Sequence, residues 1–222
     1  MLQGMNLTDI LLLLPAILIG FTVHEFSHAA LAVRLGDSTP VEQGRYTLNP
    51  LSHIDIMGFL LILIAGFGWA KPVQFDPARF AHPRRGRALV AVAGPLSNLF
   101  LAVLAAVLIG LTGSGSRAAV SGTTAGAGAL SALGLRAALY FIWINLMLFV
   151  LNLLPIPPLD GSHIVLSWLP ERYARFRSAY VRYGTLVLIV LILGGSLLGR
   201  DLLPISRITA ILFRNLMRFL GL

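Results

Sequence analysis

Two histidines and a glutamate stand close together in the segment His24-Glu25-Phe26-Ser27-His28. On a helix, His24 and His28 are four residues apart, so both rings project from one face on neighbouring turns. This spacing lets two imidazole nitrogens share one zinc ion, with Glu25 beside them as a candidate general base. The pattern predicts a metal site for hydrolytic chemistry. The alternative is a buried polar cluster that only holds helices together.

The surroundings of this motif are apolar. Between Ile10 and Val33, no other side chain readily carries a charge. An ionised residue at the centre of a bilayer costs roughly 2.5–3.5 kcal/mol on insertion scales. Ionisable groups retained inside such a run therefore indicate a function within the membrane.

A catalytic zinc site needs a third protein ligand and an open position. The chain contains no cysteine, so thiolate ligands are excluded. Besides Glu25, Asp160 is the acidic residue expected at the end of a long apolar segment on the same side as His24. The prolines before Asp160 break the helix, and Gly161 permits a turn that brings the carboxylate inward. The alternative is that Asp160 caps the next helix.

The composition is that of a membrane protein. Of the 222 residues, 57% are hydrophobic and 12% are charged, and the mean hydropathy is +0.84. These values indicate several membrane spans. The excess of 17 Lys and Arg over 9 Asp and Glu indicates topology and attraction to lipid head groups, and we expect no nucleic-acid partner.

The apolar runs predict an all-α polytopic membrane protein, with one membrane-embedded domain over residues 1–222 and a three-helix catalytic core. The core helices are predicted at about residues 8–35, 87–112 and 136–162, and additional C-terminal helices at 183–222. The arginines of the tail beyond Pro204 form one stripe, which favours an interfacial helix over a further span.

The region between the first two core helices, residues 36–86, has a different character. Gly and Pro bound two segments, residues 44–50 and 69–76, that are predicted as short strands or extended backbone. Between them, the uncharged run Met57–Ala70 has 14 residues, which is short for a span. This pattern predicts a re-entrant or β-hairpin-like insertion.

Basic residues are concentrated in the connections on one side of the predicted spans. If the first helix runs inward, most of them fall on the inner face, as the positive-inside tendency requires. We therefore expect a multi-pass protein of the inner cell membrane, with its active site towards the cytoplasm.

Two further segments make a family resemblance specific. Residues Asn152–Gly161 match the Asn-x-x-Pro-x-Pro-x-Leu-Asp-Gly signature of the site-2 protease family of intramembrane zinc metalloproteases. Residues Gly94–Asn98 match that family's Gly-x-x-x-Asn element. With the His-Glu-x-x-His motif, these elements occur in the family's order on three apolar helices. The chain resembles a compact, core-only member without a PDZ or CBS domain.

The resemblance implies roles for particular residues. One zinc ion per chain would be bound by His24, His28 and Asp160. Glu25 would take a proton from the attacking water and return it to the leaving amine. The resemblance also implies that the substrate backbone or the oxyanion is held by Asn98 and Asn152. Interhelical hydrogen bonds are the alternative role for these two amides.

One histidine in a predicted loop is a further candidate. His53 could reach the site as an accessory residue or orient a bound segment, although a histidine in a loop often has no such role. His163 lies three residues beyond Asp160, where it could act as a competing ligand.

The predicted function is that of an intramembrane zinc endopeptidase. It would hydrolyse peptide bonds in or near transmembrane segments of membrane-protein substrates, as in regulated intramembrane proteolysis. Its partners would be those segments and the lipid bilayer. The alternatives are a non-enzymatic zinc-handling transporter and an inactive scaffold. Glu25 discriminates, because a transporter does not need an unligated carboxylate beside the metal.

Overall fold

The computed structural model describes residues 6–58, 71–111, 129–199 and 202–221, and these are nearly all helical. The helices are α1 (Leu7–Arg34), α2 (Thr39–Glu42), α3 (Pro83–Leu111), α4 (Ala129–Asn152), α5 (Asp160–Trp168), α6 (Ala174–Leu198) and α7 (Ile205–Phe219). Short 3-10 turns occur at Pro50–Ser52, Pro77–Arg79 and Glu171–Tyr173. The predicted all-α class is confirmed for this part of the chain.

Four of the helices are long and apolar enough to cross a membrane. The membrane-crossing stretches are Leu7–Arg34, Pro83–Leu111, Ala132–Asn152 and Ala174–Gly195. Each exceeds the roughly 20 residues that span a hydrocarbon core about 30 Å thick. The chain is therefore a multi-pass membrane protein. The amphipathic α7 packs along the outside of α4, with the rings of Trp143 and Phe213 5.7 Å apart.

The core of the molecule is the three-helix bundle of α1, α3 and α4. Near the start of α1, Leu13 packs against Ile144 of α4. Near its end, Ala32 packs against Val90 of α3. Thus α1 and α4 run in the same direction and α3 runs opposite to both. Small residues at the helix contacts let the backbones approach closely, as is usual in membranes.

Two sets of contacts hold the first turn of helix α1 in place. The Asn6 side chain accepts a hydrogen bond from the Asp9 amide at 2.9 Å, and the two residues form a capping box. The buried Asp9 carboxylate is paired with Arg136 and accepts a hydrogen bond from the Tyr140 hydroxyl at 2.8 Å. These contacts fasten the beginning of α1 to α4.

The region predicted as a hairpin is organised differently in its described part. Residues 36–58 and 71–82 contain no strand, and the described residues of the two predicted segments form turns and extended backbone. Pro50 and Pro77 begin 3-10 turns that are capped by the side chains of Asn49 and Asp76. A proline favours the first position of a helical turn, because its φ angle suits the turn and its missing N–H costs nothing there. The re-entrant run Met57–Ala70 falls mostly outside the described residues.

The prolines also divide the predicted third core helix, residues 136–162. Helix α4 ends at Asn152, and a new helix, α5, begins at Asp160. Proline lacks the N–H that would continue the helical ladder, and its ring clashes with the preceding turn. The proline-rich turn, residues 153–159, therefore separates the two helices and sets Asp160 at the first position of α5.

Candidate metal centre

Three potential ligands converge between α1 and the start of α5. The Nε2 atoms of His24 and His28 are 3.1 Å apart. The Asp160 carboxylate places Oδ2 at 3.0 Å from Nε2 of His24 and Oδ1 at 3.3 Å from Nε2 of His28. The structure thus brings together the three residues that the sequence predicted as ligands, and they form a possible metal-binding site.

The second nitrogen of each histidine identifies its tautomer. His28 Nδ1 lies 2.7 Å from the Val90 carbonyl oxygen, which can only accept a hydrogen bond. His24 Nδ1 lies 2.7 Å from Oδ1 of Asn98. The Asn98 amide is oriented by its Nδ2, which donates to the Gly20 carbonyl oxygen and to Oδ1 of Asn145. Both histidines therefore donate a hydrogen bond through Nδ1. The Nε2 atom of each ring is then unprotonated and has a free lone pair.

This donor set fits a zinc ion. Two Nε2 lone pairs and a carboxylate oxygen meet within hydrogen-bond distance, yet neither nitrogen has a proton to share. Oδ2 of Asp160 is buried and receives no hydrogen bond, although His24 Nε2 is its neighbour. The lone pairs of these nitrogen and oxygen atoms repel one another unless a cation lies between them. Two imidazoles and a carboxylate with an open position are ligands that zinc takes in catalytic sites.

Glu25 lies beside the three ligands in the same cavity. It is buried, and its Oε2 accepts a hydrogen bond from the Val73 amide at 2.9 Å. The cavity has a volume of about 530 Å³. Its polar lining consists of His24, Glu25, His28, Asn152, Asp160 and His163, together with Thr185 of α6. The remaining walls are mostly apolar side chains, as is typical of a site that excludes bulk water.

The two candidate asparagines occupy different positions. Asn98 is fully buried and does not line the cavity. Both hydrogens of its amide are donated to Gly20 and Asn145, and its oxygen accepts from His24. Asn152 lines the cavity, and its Nδ2 donates one hydrogen bond to the Leu148 carbonyl oxygen at 3.1 Å. Asn152 therefore keeps one amide hydrogen for a ligand.

His53 is placed outside the cavity. The buried ring donates through Nε2 to the Thr47 carbonyl oxygen at 2.8 Å, and the His53 carbonyl oxygen accepts from the Lys71 amide at 2.8 Å. These bonds connect the loop after α2 to the extended segment Lys71–Asp76. They place His53 in the support of that segment, which carries Val73 to Glu25.

Two glycines make the convergence sterically allowed. A Cβ atom on Gly94 would lie 2.4 Å from His28 Nε2 and 2.7 Å from His24 Cε1. A Cβ atom on Gly161 would lie 2.4 Å from the carbonyl oxygens of Leu153 and Leu154. At these two positions only a hydrogen fits between the helix or turn and its neighbours.

Some residues at the site were missed or undervalued in the sequence. Asn145 completes the hydrogen-bonded chain from His24 through Asn98, and its only signal was a polar residue inside an apolar helix. His163 lines the cavity, but it is not one of the three grouped ligands. Burial lowers the pKa of His163, and the charge of Arg87 adds to this effect while that of Asp160 opposes it. No pattern in the sequence indicated that Val73 would reach Glu25.

A His-His-Asp cluster with a neighbouring glutamate, placed inside a bundle of apolar helices, is the arrangement expected of a membrane-embedded zinc peptidase. The family model described as "Peptidase family M50" matches residues 12–194. The chain therefore belongs to peptidase family M50, the site-2 proteases. It is a zinc metalloendopeptidase.

Curated relatives agree with this membership. The chain is 39% identical over 181 residues to "Putative zinc metalloprotease YwhC" of Bacillus subtilis, covering 81% of this chain and 78% of that protein. It is 31% identical over 188 residues to "Putative zinc metalloprotease Rip2" of Mycolicibacterium smegmatis, covering 82% of this chain and 67% of that protein. No solved structure matches the chain significantly.

Proposed function

We propose that this protein hydrolyses peptide bonds in or near transmembrane segments of other membrane proteins, as in regulated intramembrane proteolysis. In this proposal the zinc ligands are His24, His28 and Asp160, and Glu25 is the general base. The observation that carries it is the convergence of these four side chains on one cavity between apolar helices.

The zinc ion, when bound, supplies Lewis-acid chemistry that activates water and polarises a carbonyl group. The residues of the chain supply the rest. Glu25 takes the proton of the attacking water and transfers it to the leaving amine. The Val73 amide, 2.9 Å from Oε2 of Glu25, fixes the orientation of the carboxylate. The apolar walls of the cavity limit access of bulk water.

The asparagines receive separate roles in this proposal. Asn98 is a positioning residue, because all of its hydrogen-bonding groups are used within the protein and one of them holds His24. Asn152 is the group that meets the substrate backbone or the oxyanion, because its amide faces the cavity with one hydrogen to spare.

We propose that the protein lies in the inner cell membrane with the metal centre nearer the cytoplasmic side. The motif is in the half of α1 that ends at Arg34, and α3 begins at the same end with Arg84, Arg85 and Arg87. Concentration of basic residues at one end of the spans supports a cytoplasmic position for that end.

The test compares wild-type protein with Glu25→Gln after purification and reconstitution into proteoliposomes. Zinc content and cleavage of a panel of single-pass membrane proteins are measured. We expect both proteins to bind one zinc ion per chain, with cleavage at least ~10²-fold slower in the variant because the proton acceptor is lost. A variant that cleaves like the wild type would contradict the proposal.

The transporter alternative has its own readout in the same vesicles. A transporter would move zinc across the bilayer in the absence of any peptide substrate, and Glu25→Gln would leave that flux intact. We expect no zinc flux in either protein. Asp160→Asn serves as the metal-site variant, and we expect it to lose both zinc and cleavage.

A further inference from the structure

A second cavity, separate from the catalytic one, is lined by basic side chains. It has a volume of about 610 Å³ and lies between the beginning of α3, the middle of α5 and the beginning of α6. Its lining residues are His82, Pro83, Arg84, Arg85, Arg87, Leu166 and Arg177. We call this cavity the basic pocket. None of its residues belongs to the metal centre.

No carboxylate among the described residues lines the basic pocket, and neither Arg87 nor Arg177 forms an ion pair with a described residue. Both arginines are half-buried, and the charge of Arg177 acts on Arg87 from the neighbouring helix. Two partly desolvated guanidinium groups that repel each other favour a bound anion.

Arg79, in the segment before α3, is a basic residue that is paired with acidic residues. Arg79 lies 3.0 Å from Glu42 and 3.8 Å from Asp37, so its charge is balanced within the protein. Arg79 thus differs from Arg87 and Arg177, which form no ion pair with a described residue.

The position of the basic pocket along the helices indicates the depth, relative to the membrane, at which an anion would bind. After Arg87, α3 continues as an uncharged run from Ala88 to Leu111. Arg177 lies in the first turns of α6, ahead of the uncharged run that follows Arg182. The pocket thus lies where charged helix ends meet membrane-spanning segments, which is the level of lipid head groups.

We propose that the basic pocket binds the phosphate group of an anionic phospholipid, held chiefly by Arg87 and Arg177. Guanidinium groups match phosphate oxygens with paired hydrogen bonds, and a lipid phosphate is fixed at the depth of the pocket by its acyl chains.

A lipid phosphate at this position acts on the catalytic cavity through α5. Leu166 lines the basic pocket, and His163, one turn earlier, lines the catalytic cavity. The charge of Arg87 already reaches His163. An anion beside Arg87 offsets that charge, and it also fastens the beginning of α6 to the beginning of α3.

The experiment titrates purified full-length protein in neutral detergent with phosphatidylglycerol or phosphatidylcholine and counts bound lipids by native mass spectrometry. We expect wild-type protein to retain phosphatidylglycerol in preference to phosphatidylcholine. The double variant Arg87→Gln/Arg177→Gln should bind phosphatidylglycerol at least about tenfold more weakly, since it removes both guanidinium groups that would form charge-assisted hydrogen bonds to the phosphate.

The matched control is Arg175→Gln/Arg182→Gln. It also removes two positive charges, both from the first part of α6, but neither residue lines the basic pocket. We expect a loss of less than about threefold, from general electrostatics alone. The variant Arg87→Lys/Arg177→Lys keeps both charges but lacks the planar guanidinium groups. Its affinity for phosphatidylglycerol should lie between those of the glutamine variant and the control. Equal losses in the glutamine variant and its control would overturn the proposal.

Inorganic phosphate distinguishes the source of the phosphate group. In the lipid assignment, millimolar phosphate does not displace phosphatidylglycerol and does not raise the melting temperature as the lipid does. If phosphate reproduces the stabilisation and the lipid adds nothing, the lipid assignment is wrong. If the double variant does not fold, the single variant Arg177→Gln replaces it, and binding equal to wild type would again overturn the proposal.

Discussion

At the scale of single residues, the metal centre depends on what the far side of each histidine touches. His24 and His28 use Nδ1 on Asn98 and on the Val90 carbonyl oxygen, respectively, which turns both Nε2 lone pairs towards Asp160. Outer partners of this kind fix the tautomer and orientation of a ligand. The functional unit therefore includes residues that never meet the metal.

Asn98→Ala tests this outer contact. We expect zinc affinity to fall by about 10–100-fold, the usual effect of losing an outer partner of a metal-binding histidine, because His24 Nδ1 loses its acceptor. Zinc affinity is measured by competition with a chelator of known affinity. Ser97→Ala is the control, since the Ser97 hydroxyl only donates to the Gly94 carbonyl oxygen in its own helix. Unchanged affinity in Asn98→Ala would contradict the positioning role.

Gly94→Ala tests the close approach of α3 to the histidines. The added Cβ atom would lie 2.4 Å from His28 Nε2, so the ring or the helix must move. We expect zinc occupancy and cleavage to fall at least ~10-fold, because metal ligands tolerate little displacement. Gly110→Ala is the matched control in the same helix, where a Cβ atom meets nothing within 4 Å. Full zinc occupancy in Gly94→Ala would show that this approach is not required.

At the scale of elements, the proline-rich turn, residues 153–159, is the joint between the core and α6. The Tyr180 hydroxyl donates to the Pro155 carbonyl oxygen at 2.7 Å. Gly184 lies against the ring of Pro157, and the buried Leu188 of α6 lines the catalytic cavity. Helix α6 otherwise makes few contacts with the core helices. The turn that presents Asp160 therefore also seats α6 over the cavity.

Gly184→Ala tests that joint. A Cβ atom there would lie 2.5 Å from three atoms of the rigid Pro157 ring, so α6 must shift or the turn must deform. Overpacking of this kind costs about 1–3 kcal/mol, and we expect a lower melting temperature together with slower cleavage. Gly194→Ala, whose Cβ atom would meet Leu202 at an ordinary 3.5 Å, should behave as wild type. Equal behaviour of the two variants would mean that α6 is not seated by this contact.

At the scale of the whole molecule, a polar network outside the spans connects the segment after α1 to the segment before α3. The buried Asp37 accepts hydrogen bonds from the Thr39 amide at 3.0 Å and the Asp76 amide at 2.7 Å. Burial raises the pKa of Asp37, but these bonds, the Thr39 hydroxyl and the charge of Arg79 outweigh it and lower the pKa below its ordinary value. The ionised carboxylate thus stabilises the fold.

The acid dependence of stability follows from the direction of this shift. Because the pKa in the folded state is lowered, the contribution of Asp37 is complete above its ordinary pKa of about 4 and is lost as the pH falls below it. We expect Asp37→Asn to unfold at a lower temperature than wild type at pH 7, because its free energy of unfolding is lower by about 2 kcal/mol. We expect this gap in stability between the two proteins to narrow towards pH 3.

Thermal unfolding in detergent at both pH values measures this gap. Asp55→Asn serves as the control, because among the described residues the Asp55 carboxylate accepts a hydrogen bond only from the nearby Gly58 amide and lies outside the network. A gap between wild type and Asp37→Asn that stays constant from pH 7 to pH 3 would contradict the assigned role of Asp37.

The sequence by itself determined the helical class, the membrane location, the zinc motif and the candidate third ligand. These follow from local rules: apolar runs of spanning length, a four-residue spacing on one helix face, and prolines that end a helix. In residues 36–86, Gly and Pro predicted short strands or extended segments, and the described part contains extended backbone and helical turns capped by Asn49 and Asp76 but no strand.

Only the tertiary structure decided which residues from distant parts of the sequence contact one another and which of them line the catalytic cavity. It separated Asn98 from Asn152, placed His53 outside the cavity, joined Val73 to Glu25 and left the basic pocket without a described acid. Each of these depends on which helix faces meet, and a pattern of spacing within one helix carries no information about its neighbour. Polar side chains in apolar helices signal that a partner exists, and packing selects which partner it is.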